Sequence, residues 1–387
     1  MDRRNFIQLL GIGAGATVLS SSITGCESAP EPELYGWSAP DGMLEDVRLK
    51  VLSYAILAPN PHNKQPWIVK LTGIRSFDLY VDPNRLLPAT DPYHRQIHIG
   101  HGTFLEIVSI AASSFGHYAK IEYFPEGLYG NRELQNKPVA RVELVESANV
   151  QLDPLFNHLL NRRSNKRDYD HVALTTAEKQ KVQQFNQQSS DASLIFKSSL
   201  QDQKQISLWL TEAMKIETGH RERDDETIAM FRFNDAEVAK YRDGFGVAQS
   251  GMSGIKKIVA ETFFLSREKT ENNPTEFGNT AVDLTQSAAE STATFAWLTT
   301  KNNQRTDQLE IGRAYCRINL KTTEMGLAQH PMSQILQEYE DMLPLQKTFK
   351  QHFGIADSDT VQMLFRLGRA KATKHSARRA LDSIVQV

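Results

Sequence analysis

Ala58 to Trp67 reads A-P-N-P-H-N-K-Q-P-W, and its residue types suit the gripping of a flat, polar molecule. Pro59, Pro61 and Pro66 restrict the backbone, while Asn60, Asn63 and Gln65 offer both donors and acceptors. The same composition also suits a rigid connector bonded only to itself. A second cluster, Asn161-Arg162-Arg163-Ser164-Asn165-Lys166-Arg167, gathers guanidinium forks, a hydroxyl and an ammonium, groups that match phosphate oxygens or a developing anion. Its bland reading is a solvated basic patch at a helix end, where cations oppose the negative pole of the helix dipole. Phe365-Arg366-Leu367-Gly368-Arg369 and His375-Ser376-Ala377-Arg378-Arg379 add cations that suit either an anion site or a mobile tail. His94, His98 and His101 are spaced to fall near one face of a continuous helix, as zinc ligands would, but Arg95 and the neighbouring glycines weigh against a metal. The chain has no G-x-S-x-G nucleophile turn and no P-loop.

The elements around these clusters read from their periodicity. Leu44, Val47, Val51, Leu52, Ala55 and Ile56 recur at helical spacing before the first cluster, and Trp67 to Leu71 reads as a strand, so the cluster is a helix-to-strand loop. Strands are expected at 77–81, 121–124, 139–145, 293–298 and 361–367, with helices over 102–115 and 308–325. Asp153-Pro154 is an acceptable helix start, with Leu155, Phe156, Leu159 and Leu160 on one face. Ile99-Gly100 with Phe115-Gly116, and Ile311-Gly312 with Met325-Gly326, read as two copies of one helix opened and closed by glycine. The charged stretch 217–246 is either a solvated helical hairpin or an excursion that folds over a site as a lid.

The N-terminus bears on chemistry through location. Arg3-Arg4 precedes an uncharged, glycine-rich apolar run from Leu9 to Leu19, the layout of a twin-arginine export signal, although an ordinary secretory signal or a short anchor helix shares parts of it. Gly11, Gly13 and Gly15 follow no strand and do not make a dinucleotide loop. Ile23-Thr24-Gly25-Cys26 has the form of a lipoprotein processing box, which makes Cys26 the lipidation candidate, 1–25 the signal and 26–41 a tether. Glu27 after that cysteine points toward an outer rather than an inner membrane. The twin-arginine route carries folded proteins, commonly with a cofactor already loaded. Composition sets further bounds: a formal charge of -2 disfavours general nucleic-acid binding, and two cysteines, one of them Cys26, leave no disulfide framework.

The order Ala-Pro, amide, Asn, Gln, Pro, Trp in residues 58–67 closely resembles the ring-side flavin loop of the nitroreductase-like flavoproteins. The resemblance implies an α+β nitroreductase-like fold, with units at 42–150 and 151–380 forming an internal pseudo-dimer, as in the branch of the family that fuses both units, and a lid at about 217–246. It implies FMN as the cofactor, one per chain in a monomer, with no side chain acting as acid or base because the flavin carries the chemistry. Pro59, Asn60, Asn63 and Gln65 then belong to the ring side. Arg162, Arg163, Ser164 and Lys166 match the family's Arg-x-Ser-x-Lys/Arg at the flavin tail and ring edge. Arg378 and Arg379, and less directly Arg366, would close the phosphate site, and Pro331, Met332 and Ser333 would pass the flavin with backbone groups. The implied activity is electron transfer to a small electron-poor acceptor such as a nitroaromatic or quinone, in a periplasmic, lipid-anchored protein. The alternative is a flavin-binding store or sensor with an occluded site.

Overall fold

The structure, a computed structural model, describes residues 36–37, 39–40, 44–252, 257, 260–261 and 266–386. The expected signal at 1–25 and Cys26 lie outside the described residues, as does most of the expected tether.

The first half runs α1 (Val47–Ala55), β1 (Trp67–Gly73), β2 (Ser76–Val81), α2 (Arg95–Ser113), β3 (His117–Tyr123) and β4 (Ala140–Glu146). The second runs α3 (Thr176–Ser189), β5 (Ser193–Lys197), a helical excursion, β6 (Thr294–Thr300), α9 (Arg305–Glu324), β7 (Ala328–Pro331), α10 (Leu343–His352) and β8 (Thr360–Gly368). The excursion contains α4 (Leu200–Glu217), α5 (Arg221–Met230), α6 (Asp235–Tyr241), α7 (Arg267–Asn272) and α8 (Pro274–Glu290). A last short strand, β9 (Val385–Gln386), follows.

The chain is α+β, and its two halves repeat one topology. The first sheet has the order β3-β4-β2-β1-β9 and the second, read from its far edge, β7-β8-β6-β5. Within each set of four every pairing is antiparallel. The exception is β9, which pairs in parallel with β1, so the end of the chain returns to the first sheet.

The long helices α2 and α9 meet where two glycines let their backbones touch. A Cβ on Gly102 would lie 2.0 Å from Leu309 O, and one on Gly312 would lie 2.0 Å from Ile99 O. The contact is reciprocal: Ile99 and Gly102 face Gly312 and Leu309 as two copies would across a two-fold axis. Arg95 and Arg305, each the first residue of its helix, extend the pattern. Arg95 donates to Gln362 O and Leu336 O, both at 2.8 Å, in the second half, and Arg305 donates to Glu133 O at 2.7 Å in the first. The sequence-based alignment of Gly100 with Gly312 is therefore displaced by two residues. These glycines sit inside helices that begin at Arg95 and Arg305, because only a missing Cβ permits the crossing.

Two further expectations change. Asp153-Pro154 leads only to a single 3-10 turn at Phe156–His158, so the basic run 161–167 does not sit at the end of an α-helix. The charged stretch 217–246 is the middle of the larger excursion between β5 and β6, where the first half has only a tight β1–β2 hairpin.

Candidate functional site

The loop 58–67 is held at both ends by the first half. Thr103 Oγ1 donates to Pro59 O at 2.6 Å, and Trp67 is fully buried against Phe104, 5.0 Å between ring centroids. Inside it, His62, Asn63 and Gln65 adopt positive φ (49°, 52° and 52°), a conformation that costs energy for residues with a side chain and persists only where the surroundings impose it. Side-chain bonds impose it here. Asn60 Oδ1 accepts from Gln65 N at 2.7 Å and Asn60 Nδ2 donates to Ala58 O at 2.9 Å, so this amide is spent within the loop. Gln65, fully buried, donates to Arg242 O at 2.9 Å and accepts from Arg379 N at 2.8 Å.

Asn63 is the junction of three segments. Its Nδ2 donates to Gly244 O (2.9 Å) in the excursion and to Ala377 O (3.0 Å) in the C-terminal segment, and its Oδ1 accepts from Arg378 Nη1 (2.9 Å). The excursion reaches this point because Gly244 has φ +69° and lies so close to the chain that a Cβ would stand 2.1 Å from Met230 O. Asp243 accepts from Arg85 Nη1 at 3.0 Å, and Glu226 accepts from Ala89 N and Thr90 N at 3.0 and 2.9 Å, so the excursion is docked on the first half. The segment 217–246 is therefore packed, with Asp224, Arg232 and Asp243 buried, rather than a solvated hairpin.

Two groups of cations flank Asn63. In one, Arg162 and Arg378 are buried and both donate to Leu57 O, at 2.9 and 3.2 Å. Arg162 also donates to Asn319 Oδ1 at 3.1 Å, and Arg163 Nη1 to Thr373 O at 2.7 Å. Among the described residues no carboxylate pairs with Arg162, Arg163 or Arg378. Burial holds all three below the ordinary arginine range, and Arg162 further depresses Arg378. His375 is pushed down to about 3 by burial and by these three arginines, and so is neutral at physiological pH. Arg162 Nε, Arg378 Nε, His375 Nε2 and Thr373 Oγ1 are buried without a hydrogen-bond partner. Such an excess of buried positive charge and unused donors is costly unless an anion meets it.

In the other group, Lys166 Nζ lies 4.1 Å from the centroid of the Phe245 ring, which is itself 5.7 Å from the His62 ring. Burial, with Arg366, brings Lys166 down to about 8, and burial, with Lys166 and Lys64, brings His62 to about 4. His62 Nδ1 is buried and unpartnered. Arg366 is a buried brace: it donates to His330 Nδ1 (3.1 Å), Arg167 O (2.8 Å) and Ala288 O (2.9 Å). Asn165 N donates to Gln329 O at 3.0 Å, which fixes the 161–167 run beside β7.

The remaining residues singled out in the sequence fall as follows. Ser164 is half-buried within the basic run. Pro331 pairs with Phe365 in the second sheet, Met332 is buried in the core beneath it, and Ser333 Oγ is buried without a partner. Arg379 donates to Gln65 O and Ser383 O, so it braces the loop rather than joining the carboxylate-free cluster. His98 and His101 are core residues: their ring nitrogens face His94 O, Tyr129 Oη, Ile97 O and Tyr80 O. Among the described residues no group of histidine, cysteine or acidic side chains is placed to hold a metal. Trp37, His62, His375, Thr373 and Phe245 were not singled out as site residues in the sequence. His62 and His375 lay inside motifs already quoted, and Trp37 carried a signal as a lone tryptophan in a Pro/Gly-rich stretch.

No family model matches the chain. A Mycobacterium tuberculosis protein named "Putative NAD(P)H nitroreductase Rv3131" is 37% identical over 82 residues, 21% of this chain and 23% of that protein. A second, named "Putative NAD(P)H nitroreductase acg", is 34% identical over 87 residues, 22% of this chain and 26% of that protein. The chain thus spans about a quarter of the length of the curated relatives it matches. Among solved structures, the FMN-dependent nitroreductase NfnB of Mycobacterium smegmatis, in complex with NADPH, superposes with a TM-score of 0.36 at 14% identity, over 59% of this chain and 94% of that one. A Bacteroides fragilis nitroreductase with bound FMN gives 0.35 at 9% identity, over 59% and 95%. Both superpositions are loose.

Proposed function

We propose that this chain binds one FMN between its two halves and acts as a nitroreductase-like oxidoreductase of the fused, pseudo-dimeric kind. The observation that carries the proposal is the cluster of buried Arg162, Arg378 and Thr373 with half-buried Arg163 and His375, with four unpartnered polar atoms and no carboxylate among the described residues, joined through Asn63 to the loop 58–67. A dianionic phosphate fits that donor set. Arg162 and Arg378 would hold the phosphate, Lys166 would place positive charge at the ring edge, and the loop with Pro59 and Asn60 would border the ring. When bound, FMN supplies hydride transfer through its N5 to a small electron-poor acceptor, a nitroaromatic or quinone. The protein's part is to orient the cofactor, keep water from it and hold the Lys166 proton; no side chain is assigned as acid or base. The names of the two mycobacterial relatives point to the same class of activity.

One observation favours a second reading, a flavin store or sensor without turnover: the excursion is closed, with Gly244 bound to Asn63 and Phe245 against Lys166. Anaerobic addition of NADH or NADPH to the FMN-loaded protein separates the two. Bleaching of the flavin absorption, with reoxidation by menadione or a nitroaromatic, supports the oxidoreductase. An oxidised spectrum that persists with either donor leaves binding without turnover.

We further propose export by the twin-arginine route and lipid attachment at Cys26, which would tether the protein at the periplasmic side of a membrane, the outer one favoured by Glu27. The support is the order of Arg3-Arg4, the uncharged run Leu9 to Leu19 and the Ile23-Thr24-Gly25-Cys26 box. Among the described residues no helix is long and apolar enough to cross a membrane.

A further inference from the structure

Trp37 belongs to the stretch read from sequence as tether, yet it lies against the cation cluster. Its indole stacks on the His375 ring, with centroids 3.8 Å apart and planes within 8°, and its Nε1–H donates to Ser376 O at 2.8 Å. The guanidinium carbons of Arg378 and Arg162 are 5.0 and 5.8 Å from the Trp37 ring. One indole thus touches both arginines proposed to hold the phosphate. The approach of the chain is fixed by Gly36, at φ +90°, where a Cβ would stand 2.9 Å from Ile56 Cδ1 and 3.5 Å from Arg378 Cβ. Gly36 and Trp37 therefore wedge between the end of α1 and the C-terminal segment.

We infer that Trp37 closes the phosphate end of the pocket and restricts the cofactor to a flavin with a single terminal phosphate, excluding FAD. This rests on the FMN reading. Charge does not make the distinction, because a terminal monophosphate and a bridging diphosphate both bring about two negative charges to the arginines. A wall does. A diphosphate continuing to an adenosine must leave the cluster past the phosphate, and the stacked Trp37–His375 pair stands at that boundary. The indole is apolar on its faces and its one polar atom is committed to Ser376 O, so Trp37 offers a second phosphate nothing in exchange for lost water. Cation–π contact holds the indole over the two guanidinium groups even without a ligand.

The test strips flavin from the full-length protein, reconstitutes wild type, Trp37→Phe and Trp37→Ala with FMN or FAD, and measures both dissociation constants by flavin fluorescence. Wild type should prefer FMN by a hundredfold or more, Trp37→Phe should keep most of that preference, and Trp37→Ala should bring the two within about tenfold. Circular dichroism checks that each variant is folded. A Trp37→Ala protein that binds FMN and still rejects FAD overturns the inference, as does a wild type that takes FAD as tightly as FMN, which needs no variant. A wild type that binds neither defeats the FMN reading itself, a distinguishable failure.

Discussion

Arg162 and Arg378 share the carbonyl of Leu57, and each keeps a buried Nε with no partner. Their closeness costs stability, a cost that the FMN phosphate would offset on the reading proposed above. Arg162→Ala should accordingly weaken FMN binding by about tenfold to a hundredfold, the range of lost charge-assisted hydrogen bonds. The melting temperature of the flavin-free protein should fall little or rise, because the repulsion with Arg378 is relieved. A large fall in the flavin-free protein with unchanged FMN affinity would make Arg162 a structural residue. Lys166 supplies a pH signature. Its pKa is lowered from 10.5 to about 8, so between those values the unfolded chain binds more protons than the folded one, and this residue's contribution to stability rises with pH. A bound flavin that favours the ammonium has the opposite consequence for binding. FMN affinity should be greatest below pH 8 and decline above it, with proton uptake on binding near pH 8.5, and Lys166→Met should flatten the profile as followed by fluorescence titration. At this scale residue type showed Asn63 and Arg162, since an amide in a proline-rich loop and a guanidinium in a basic run are chemically conspicuous. It did not show that Asn60 and Gln65 spend their amides on the protein, because both ends of those bonds depend on backbone at positive φ or on segments far along the chain.

Between elements, the decisive contact is the crossing of α2 and α9. A methyl group placed 2.0 Å from a carbonyl oxygen cannot be relieved by rotating a side chain, since backbone is on both sides. Gly312→Ala should force the helices apart and destabilise by several kcal/mol, at or beyond the upper end of overpacking costs. It should either abolish soluble expression or lower the melting temperature by more than about 10 °C; a variant that melts like wild type would contradict the crossing. Gly326→Ala is the contrast: it has φ +71° but no neighbour within 4 Å, so its cost is limited to backbone strain. The strands were largely legible, because β1, β2, β4, β6 and β8 carry apolar runs or alternation. The helix copies were legible as a repeat and misregistered by two, because glycine at a helix end and glycine at a helix crossing look alike in one sequence. The excursion was marked by its charge but extends further: charge marks α5 and α6, while α4 and α8 are amphipathic helices that resemble any other.

Across the whole molecule, one topology is used twice and the two copies differ in the segments they carry. The first supplies an eleven-residue loop between α1 and β1, where the second has a short link between α3 and β5. The second supplies the basic run, the excursion and the C-terminal segment, which crosses back to give the first sheet its β9 strand. Each half thus lacks what the other carries, and on the FMN reading proposed above that division calls for a single site shared between them. The division was readable because each motif occurs once; β9 was not, because two residues of parallel pairing leave no periodic trace. The most direct test counts flavin. The full-length protein, purified in the dark without added cofactor and then saturated with FMN, should be yellow and release one FMN per chain on denaturation, with no FAD. A colourless protein that takes up no FMN would contradict the account, and two FMN per chain would contradict a single site shared between the halves.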